Sequence, residues 1–333
     1  MKKNIISLTG LLMLCLLVLA FAPSCKKDSQ AQAPVNNTVK RAVTTSATTQ
    51  KFIAYFVTDG RNPTYKLTDI PDGVDIVVLF VVKLPNYIDT IKYPASGGYI
   101  GAYKSYGSFY SDIKKLQARG IKVIQNIDDE SSWQTTKPAG YASASAYALK
   151  MKQVLLDQLH LDGITLDVEH SGIKPSPIPP FPKYSEIGYY GWYSASMAAN
   201  ANYINCIKEM TKYFGTTAGN ELEIASGLDC YAWNNIASNF VNNFTYFGVQ
   251  SYDGDSTRTQ LMNNYATGTN KIPSGKMVYG HNAETPSSQS DAISIAKWTP
   301  TQGQKGGVFV YAFNSDPNGY GAAVLAAVKG QQY

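Results

Sequence analysis

Leu161-Asp162-Gly163-Ile164-Thr165-Leu166-Asp167-Val168-Glu169-His170 is the stretch on which the fold turns. Successive side chains of a strand point to opposite faces. Read as a strand, it therefore sets Thr165, Asp167 and Glu169 on one face and Ile164, Leu166 and Val168 on the other. The second face is wholly apolar. Asp and Glu are disfavoured in strands and rarely buried unless paired. Carboxyls at i and i+2 have Cα atoms roughly 6.5–7 Å apart. A strand with a greasy back and an acidic front points to chemistry rather than to a solvated edge. Asp162 falls outside the inward parity and reads as a turn or cap residue before the strand.

Working outward, strand-like runs alternate with helical ones. The runs are Phe52–Val57, Asp75–Val82, Lys122–Ile127, Ile164–Glu169, Leu222–Ser226, Tyr246–Tyr252, Lys276–Gly280 and Gly307–Phe313. The second is nearly all β-branched, as strands buried on both faces are. Helical patterning predicts Phe109–Arg119, stopped by Gly120, then Ala142–Leu159, Ala195–Phe214, Ile236–Asn242, Arg258–Tyr265, Asp291–Trp298 and Tyr320–Val328. Eight strands with mostly helical crossovers predict an α/β fold, a single-domain (β/α)8 TIM barrel. The rival doubly wound sheet normally carries a Gly-rich phosphate loop after an early strand, and the chain has neither that loop nor G-x-x-x-x-G-K. In a barrel the active site lies at the C-terminal strand ends, which is where Asp167 and Glu169 fall.

The 333 residues are 44% hydrophobic and 16% charged, a globular balance. The net charge of +5 is thinly spread, so no nucleic-acid footprint is present. The 24 tyrosines suit hydroxyl-rich ligands, since each ring offers an apolar face and a polar tip. Lys2 and Lys3 precede an apolar run from Leu11 to Ala22, the layout of a secretory signal. The run is short for a membrane span. Ala22-Pro23-Ser24-Cys25 resembles a bacterial lipobox, apart from the atypical Pro23. That resemblance implies a lipoprotein signal peptide over 1–24 and lipidation of Cys25. Residues 25–50 then read as a flexible tether, and 51–333 as the barrel. The expectation is a monomer of the cell envelope, lipid-anchored to the outer membrane or cell surface, touching membrane through the lipid alone. Cys206, on a helix, and Cys230, just past a strand, are expected as buried free thiols, although an exported chain also allows their oxidation. His160, His170 and His281 lack ligand spacing such as H-E-x-x-H, so no metal is expected. No cofactor is expected either.

Asp162-Gly163-Ile164-Thr165-Leu166-Asp167-Val168-Glu169 resembles the D-G-x-D-x-D-x-E signature of family 18 glycoside hydrolases, which include chitinases and endo-β-N-acetylglucosaminidases. Gln250-Ser251-Tyr252 is similar to the Gln-x-Tyr pair of endoglycosidases acting on N-linked glycans. Tyr311 stands where chitinases usually carry Trp. The resemblance implies substrate-assisted hydrolysis of a GlcNAc-containing glycan. In it Glu169 is the general acid and then base, Asp167 holds the acetamido N–H, Tyr252 donates to the acetamido oxygen and Gln250 orients the group. Thr165 departs from the signature, which has Asp there. Its loss is expected to shift the ionisation of Asp167 and slow turnover without abolishing it.

Loops after the strands supply the expected glycan walls. Ser171–Tyr193 combines five prolines with Tyr184, Tyr189, Tyr190, Trp192 and Tyr193. The Gly97–Tyr110 stretch holds Tyr99, Tyr103 and Tyr106. Trp133, Trp233, and His281-Asn282-Ala283-Glu284 follow further strands, where sugars stack or branch. The substrate-binding candidates are thus Gln250, Thr165, Tyr311, Trp192, Trp233 and Asn282. Two alternatives remain open. One is a chitinase. The other is a weakened family 18-like barrel that binds glycans for an uptake system.

Overall fold

The computed structural model describes residues 50–82, 84, 87, 100, 102–128, 131–168, 201–226, 239–252, 272–284 and 289–330. Eight strands close a barrel in chain order: β1 Lys51–Val57, β2 Ile76–Phe80, β3 Lys122–Asp128, β4 Gly163–Val168, β5 Glu221–Ser226, β6 Tyr246–Val249, β7 Met277–Asn282 and β8 Gly307–Tyr311. Every pairing is parallel, including β8 with β1. This is the expected (β/α)8 barrel, with the strands where the sequence puts them and shifted ends. β2 stops before Val81, whose φ of 80° no β-branched strand residue tolerates. β6 stops at Val249 because the Ser251 N–H turns back to the Val249 carbonyl at 2.8 Å. β7 runs on to Asn282, two residues past its expected end.

The helices follow their own local rules. α1, Tyr106–Ala118, starts at Ser105, whose hydroxyl accepts the Ser108 N–H at 3.2 Å. It buries Phe109, Ile113 and Leu116 at helical spacing and stops before Gly120, which takes φ +80°. α2, Ala144–Met151, starts from the Ser143 cap and continues as a π-helical segment, Lys152–Gln158. The i→i+5 winding brings Lys152 and Asp157 together in an ion pair of 2.7 Å. α3, Ala201–Met210, carries Cys206 as a buried free thiol. α4, Gln289–Lys297, and α5, Tyr320–Lys329, cover the last strands. The expected helix Arg258–Tyr265 and the first part of Ile236–Asn242 lie outside the described residues, as do residues 195–200 and Cys230. Among the described residues no helix is long and apolar enough to cross a membrane.

Outward-facing strand residues such as Phe52, Val77, Val123, Ile164, Leu166, Leu222, Phe247 and Val308 form one core with the helices. Inside the barrel the two sides differ. Ile53, Tyr55, Ile76, Val78, Ile124, Val278 and Phe309 make an apolar inner cluster. The side made by β3, β4 and β5 instead turns in Asn126, Thr165, Asp167 and Glu223, all buried. Close strand approach explains Gly163 in the motif, where a Cβ would lie 2.1 Å from the Glu221 carbonyl. Asp162, just before it, accepts the Val123 N–H and the Gln117 amide, each at 2.8 Å. It ties β4 to β3 and α1, which is the capping role expected for it.

Candidate active site

β4 delivers Thr165 and Asp167 into the barrel and buries Ile164 and Leu166 behind it, so the alternation read from the sequence holds. Asp167 lies at the C-terminal end of β4, in register with Asp128 on β3 and Ala225 on β5. Across the mouth, Gln250 donates from Nε2 to Asp167 Oδ1 at 3.3 Å, a long hydrogen bond. Residues 83 positions apart are thereby joined at one spot. Ser251 makes this possible. Its hydroxyl donates to the Gly280 carbonyl at 2.9 Å, pinning the bend after β6 to β7. Gln250 and Tyr252 keep their inward aim although β6 has ended.

Tyr252 stacks on Tyr311 with ring centroids 6.1 Å apart and 26° between planes. Tyr311 in turn meets Tyr55 at 6.2 Å and Phe80 at 5.2 Å, edge-on. These rings line the C-terminal end of the barrel interior. Burial raises the Tyr311 phenol above its ordinary value, and Arg61 acts against that rise. Arg61 donates to the Tyr311 hydroxyl at 3.2 Å and to both Glu284 oxygens at 2.7 and 2.8 Å. Its other nitrogens hold Asp59. Asn282, opposite Tyr311 in the β7–β8 register, accepts the Glu284 N–H at 2.9 Å and lies beside this rim. Asn314 closes the barrel at the same level, exchanging two 2.8 Å hydrogen bonds with the backbone of Val57.

Asp167, Thr165, Gln250, Tyr252, Tyr311 and Asn282 are therefore brought to one end of one barrel. Glu169, His170, Trp192, Trp233, Cys25 and the Ser171–Tyr193 loop lie outside the described residues. Three expected wall residues are elsewhere. Trp133 is buried against Tyr203 at 5.3 Å, packing the helical layer. Tyr103 is buried too, donating to Asp112 and accepting the Leu67 N–H at 2.7 Å. His281 points outward from the extended β7 into the core and is buried. Burial, with the Lys305 charge adding, pushes its imidazole down to about 4.

Sequence reading missed Arg61 and Glu223, and it named Glu284 only as the end of the 281–284 stretch, without its partner. Arg61 and Glu284 are 223 positions apart, and no local pattern marks such a pair. Glu223 shares the inward parity of its strand, the same signal that exposed Asp167. Among the described residues no group of three His, Cys, Asp or Glu side chains forms a metal site.

The family model of the endo-β-N-acetylglucosaminidase EndoS TIM-barrel domain matches residues 44–310. Endo-β-N-acetylglucosaminidase F2 of Elizabethkingia meningoseptica is 25% identical over 265 residues, 74% of this chain and 66% of that protein. This chain therefore spans about two thirds of that relative's length. The fold is also similar to that of a solved endo-β-N-acetylglucosaminidase from Cordyceps militaris, with a TM-score of 0.55 at 20% identity over 85% of this chain and 91% of that one. A mutant of the same fungal enzyme has been solved with fucosyl-N-acetylglucosamine-Asn. A GH18 chitinase from Pseudoalteromonas aurantia is similar with a TM-score of 0.55 at 17% identity, over 84% of this chain and all of that one.

Proposed function

Because the chain belongs to the family of endo-β-N-acetylglucosaminidase EndoS TIM-barrel domains, a family of glycoside hydrolases, we propose that it is an endo-β-N-acetylglucosaminidase. It hydrolyses the GlcNAc-β1,4-GlcNAc core of N-linked glycans and leaves one GlcNAc on Asn. The observation that carries this reading is the Gln250–Asp167 hydrogen bond at the barrel mouth, with the Tyr252–Tyr311 stack beside it. An amide, a carboxylate and a phenol converge there, a donor and acceptor set matched to an acetamido group.

The reaction is substrate-assisted and retaining. Glu169 protonates the leaving glycosidic oxygen while the 2-acetamido oxygen of the same sugar attacks its own anomeric carbon. Making the nucleophile intramolecular brings a large effective-molarity advantage. Asp167 accepts the acetamido N–H and stabilises the positive oxazolinium ring. Tyr252 donates to the acetamido oxygen, and Gln250 holds Asp167 in line. Water then attacks the anomeric carbon, Glu169 takes its proton and the ring reopens. Carboxyls at i and i+2 on one strand face do not readily both ionise, so the pair shares a proton near neutral pH, which keeps Glu169 ready as the acid. Thr165, Tyr311 and Asn282 line the cleft from below and beside, and Trp192 and Trp233 stack on more distant sugars.

The same reading sets the chain at the cell envelope as a monomer. Cleavage before Cys25 and lipidation of its sulfur anchor it, with residues 25–50 as the tether. Cys25→Ser should move the protein from the membrane fraction to the soluble one; an unchanged distribution refutes the anchor.

A second reading, a glycan-binding barrel with weakened catalysis, is favoured by one observation: Thr165 is buried beneath Asp167 with a hydroxyl that finds no partner. A panel of defined N-glycoproteins and chitin oligomers, followed by mass, separates the possibilities. Loss of glycan leaving one GlcNAc on the protein supports the endoglycosidase. Cleavage of chitin oligomers alone supports a chitinase, and binding without cleavage supports the binder. Glu169→Gln should abolish cleavage and retain binding, and persistent cleavage would refute the assigned acid.

A further inference from the structure

Directly below Asp167 the barrel interior holds a row of three polar side chains with unmet hydrogen bonds. Asn126, Thr165 and Glu223 are register partners on β3, β4 and β5. Neighbouring strands are about 4.8 Å apart, so the three side chains adjoin. All are buried. Asn126 Oδ1, Thr165 Oγ1 and Glu223 Oε1 each lack a hydrogen-bond partner. Buried polar atoms are almost always paired, so three together on one rung need a common explanation.

Resting on the endoglycosidase reading above, we infer that Glu223 is a positioning residue of the reaction, acting on Asp167 through Thr165. Thr165 stands two residues before Asp167 on the same inward face, so it is the link between rungs. A chain of hydrogen bonds from Glu223 to Thr165, and from Thr165 to Asn126 or up to Asp167, directly or through one buried water, satisfies the row. Without such a water it does so only if Glu223 brings a proton, because Asn126 Oδ1 is purely an acceptor and Thr165 has one hydrogen to give. The surroundings supply that proton state. The cation near Glu223 is Lys122 on β3, and it is engaged by Glu221, which faces Glu223 along β5. Tyr246 on β6 is in register with Glu223, and Asp167 stands one rung above, in register with Ala225. Burial first, and then Glu221, hold the Glu223 carboxyl well above the usual carboxylate range, with Lys122 acting against them. A neutral acid donating toward Asp167 favours Asp167 as the anion, which leaves the shared proton on its partner.

The test compares Glu223→Met, Glu223→Gln, Thr165→Val and the Glu223→Met/Thr165→Val double variant with the parent protein. Met keeps length and flexibility without a donor, and Gln keeps a neutral donor. The first readout needs no substrate. In protein labelled with 13C at the Asp carboxyls, Asp167 should titrate at higher pH in Glu223→Met and in Thr165→Val. The double variant should show no further shift, since one chain is cut twice, and Glu223→Gln should stay near the parent. Infrared spectra should show a neutral carboxylic acid band at neutral pH that Glu223→Gln lacks. On a cleaved glycoprotein, Glu223→Met should lower kcat about tenfold with KM nearly unchanged and move the acidic limb of the pH profile to higher pH. An Asp167 titration unmoved in Glu223→Met, or a Glu223→Gln variant as perturbed as Glu223→Met, overturns the inference. If Asp167 shifts as expected while no glycan is cut by the parent, the endoglycosidase reading fails and the coupling stands.

Discussion

Gly280→Ala isolates the packing that supports the site. A Cβ at Gly280 would lie 2.1 Å from Phe309 Cζ and 2.5 Å from Cε2, far inside any real contact. The ring has nowhere to go. On its other sides it meets Tyr55 at 5.2 Å and Tyr252 at 6.2 Å, and a Cβ at Gly248 would already stand 3.0 Å from Cε1. Overpacking a core costs typically about 1–3 kcal/mol, and a boxed aromatic belongs at the upper end, about 2–3 kcal/mol. For a domain near this size each kcal/mol moves Tm by roughly 2–4 °C, so a fall of about 4–12 °C is expected. Phe309→Leu shortens the ring side chain and opens room for the new methyl. The double variant Gly280→Ala/Phe309→Leu should therefore be more stable than the sum of the singles by at least about 1 kcal/mol. Urea unfolding of the four proteins measures the cycle. Because Tyr252 rests edge-on against Phe309, Gly280→Ala should also lower glycan cleavage, and the Leu should restore part of it. A Gly280→Ala variant within about 0.5 kcal/mol of the parent, or strictly additive singles, would refute this account of the barrel interior.

His281 makes stability depend on acid. Its folded imidazole titrates at about 4 and its unfolded one near 6.5, so the unfolded chain takes up the proton first. Stability is whole above about pH 6.5 and falls as pH drops toward 4, by about 3 kcal/mol across that window at roughly 1.4 kcal/mol per unit. Urea midpoints at pH 7.5 and about pH 4.5 should diverge less in His281→Asn; equal divergence removes His281 as the cause. Arg61→Ala frees the Tyr311 hydroxyl and Glu284. Because the cluster is partly exposed, the stability loss should stay under about 1 kcal/mol. KM for glycan should rise roughly twofold to fivefold with kcat little changed, and an unaltered KM would separate Arg61 from substrate binding.

Local and periodic features were legible along the chain. Alternation along 161–170 set Thr165 and Asp167 inward and Ile164 and Leu166 outward, because a strand's two faces meet different surroundings whatever its partners are. The count of such runs specified the barrel, and the barrel placed Asp167 at its working end. Parity also located Gln250 and Tyr252. The aromatic side chains were less legible, since the same Trp or Tyr serves core and ligand equally well. Trp133 and Tyr103, read as walls, fill the core instead. His281 turns outward to the helices only because β7 runs two residues further than its composition suggests. The neighbours across strands came from the closed barrel alone. Strand register sets Glu223 beside Thr165, and barrel closure carries Arg61 to Glu284 and Tyr311. Such contacts depend on how strands tilt and stagger around a closed sheet, and no single strand's sequence encodes that.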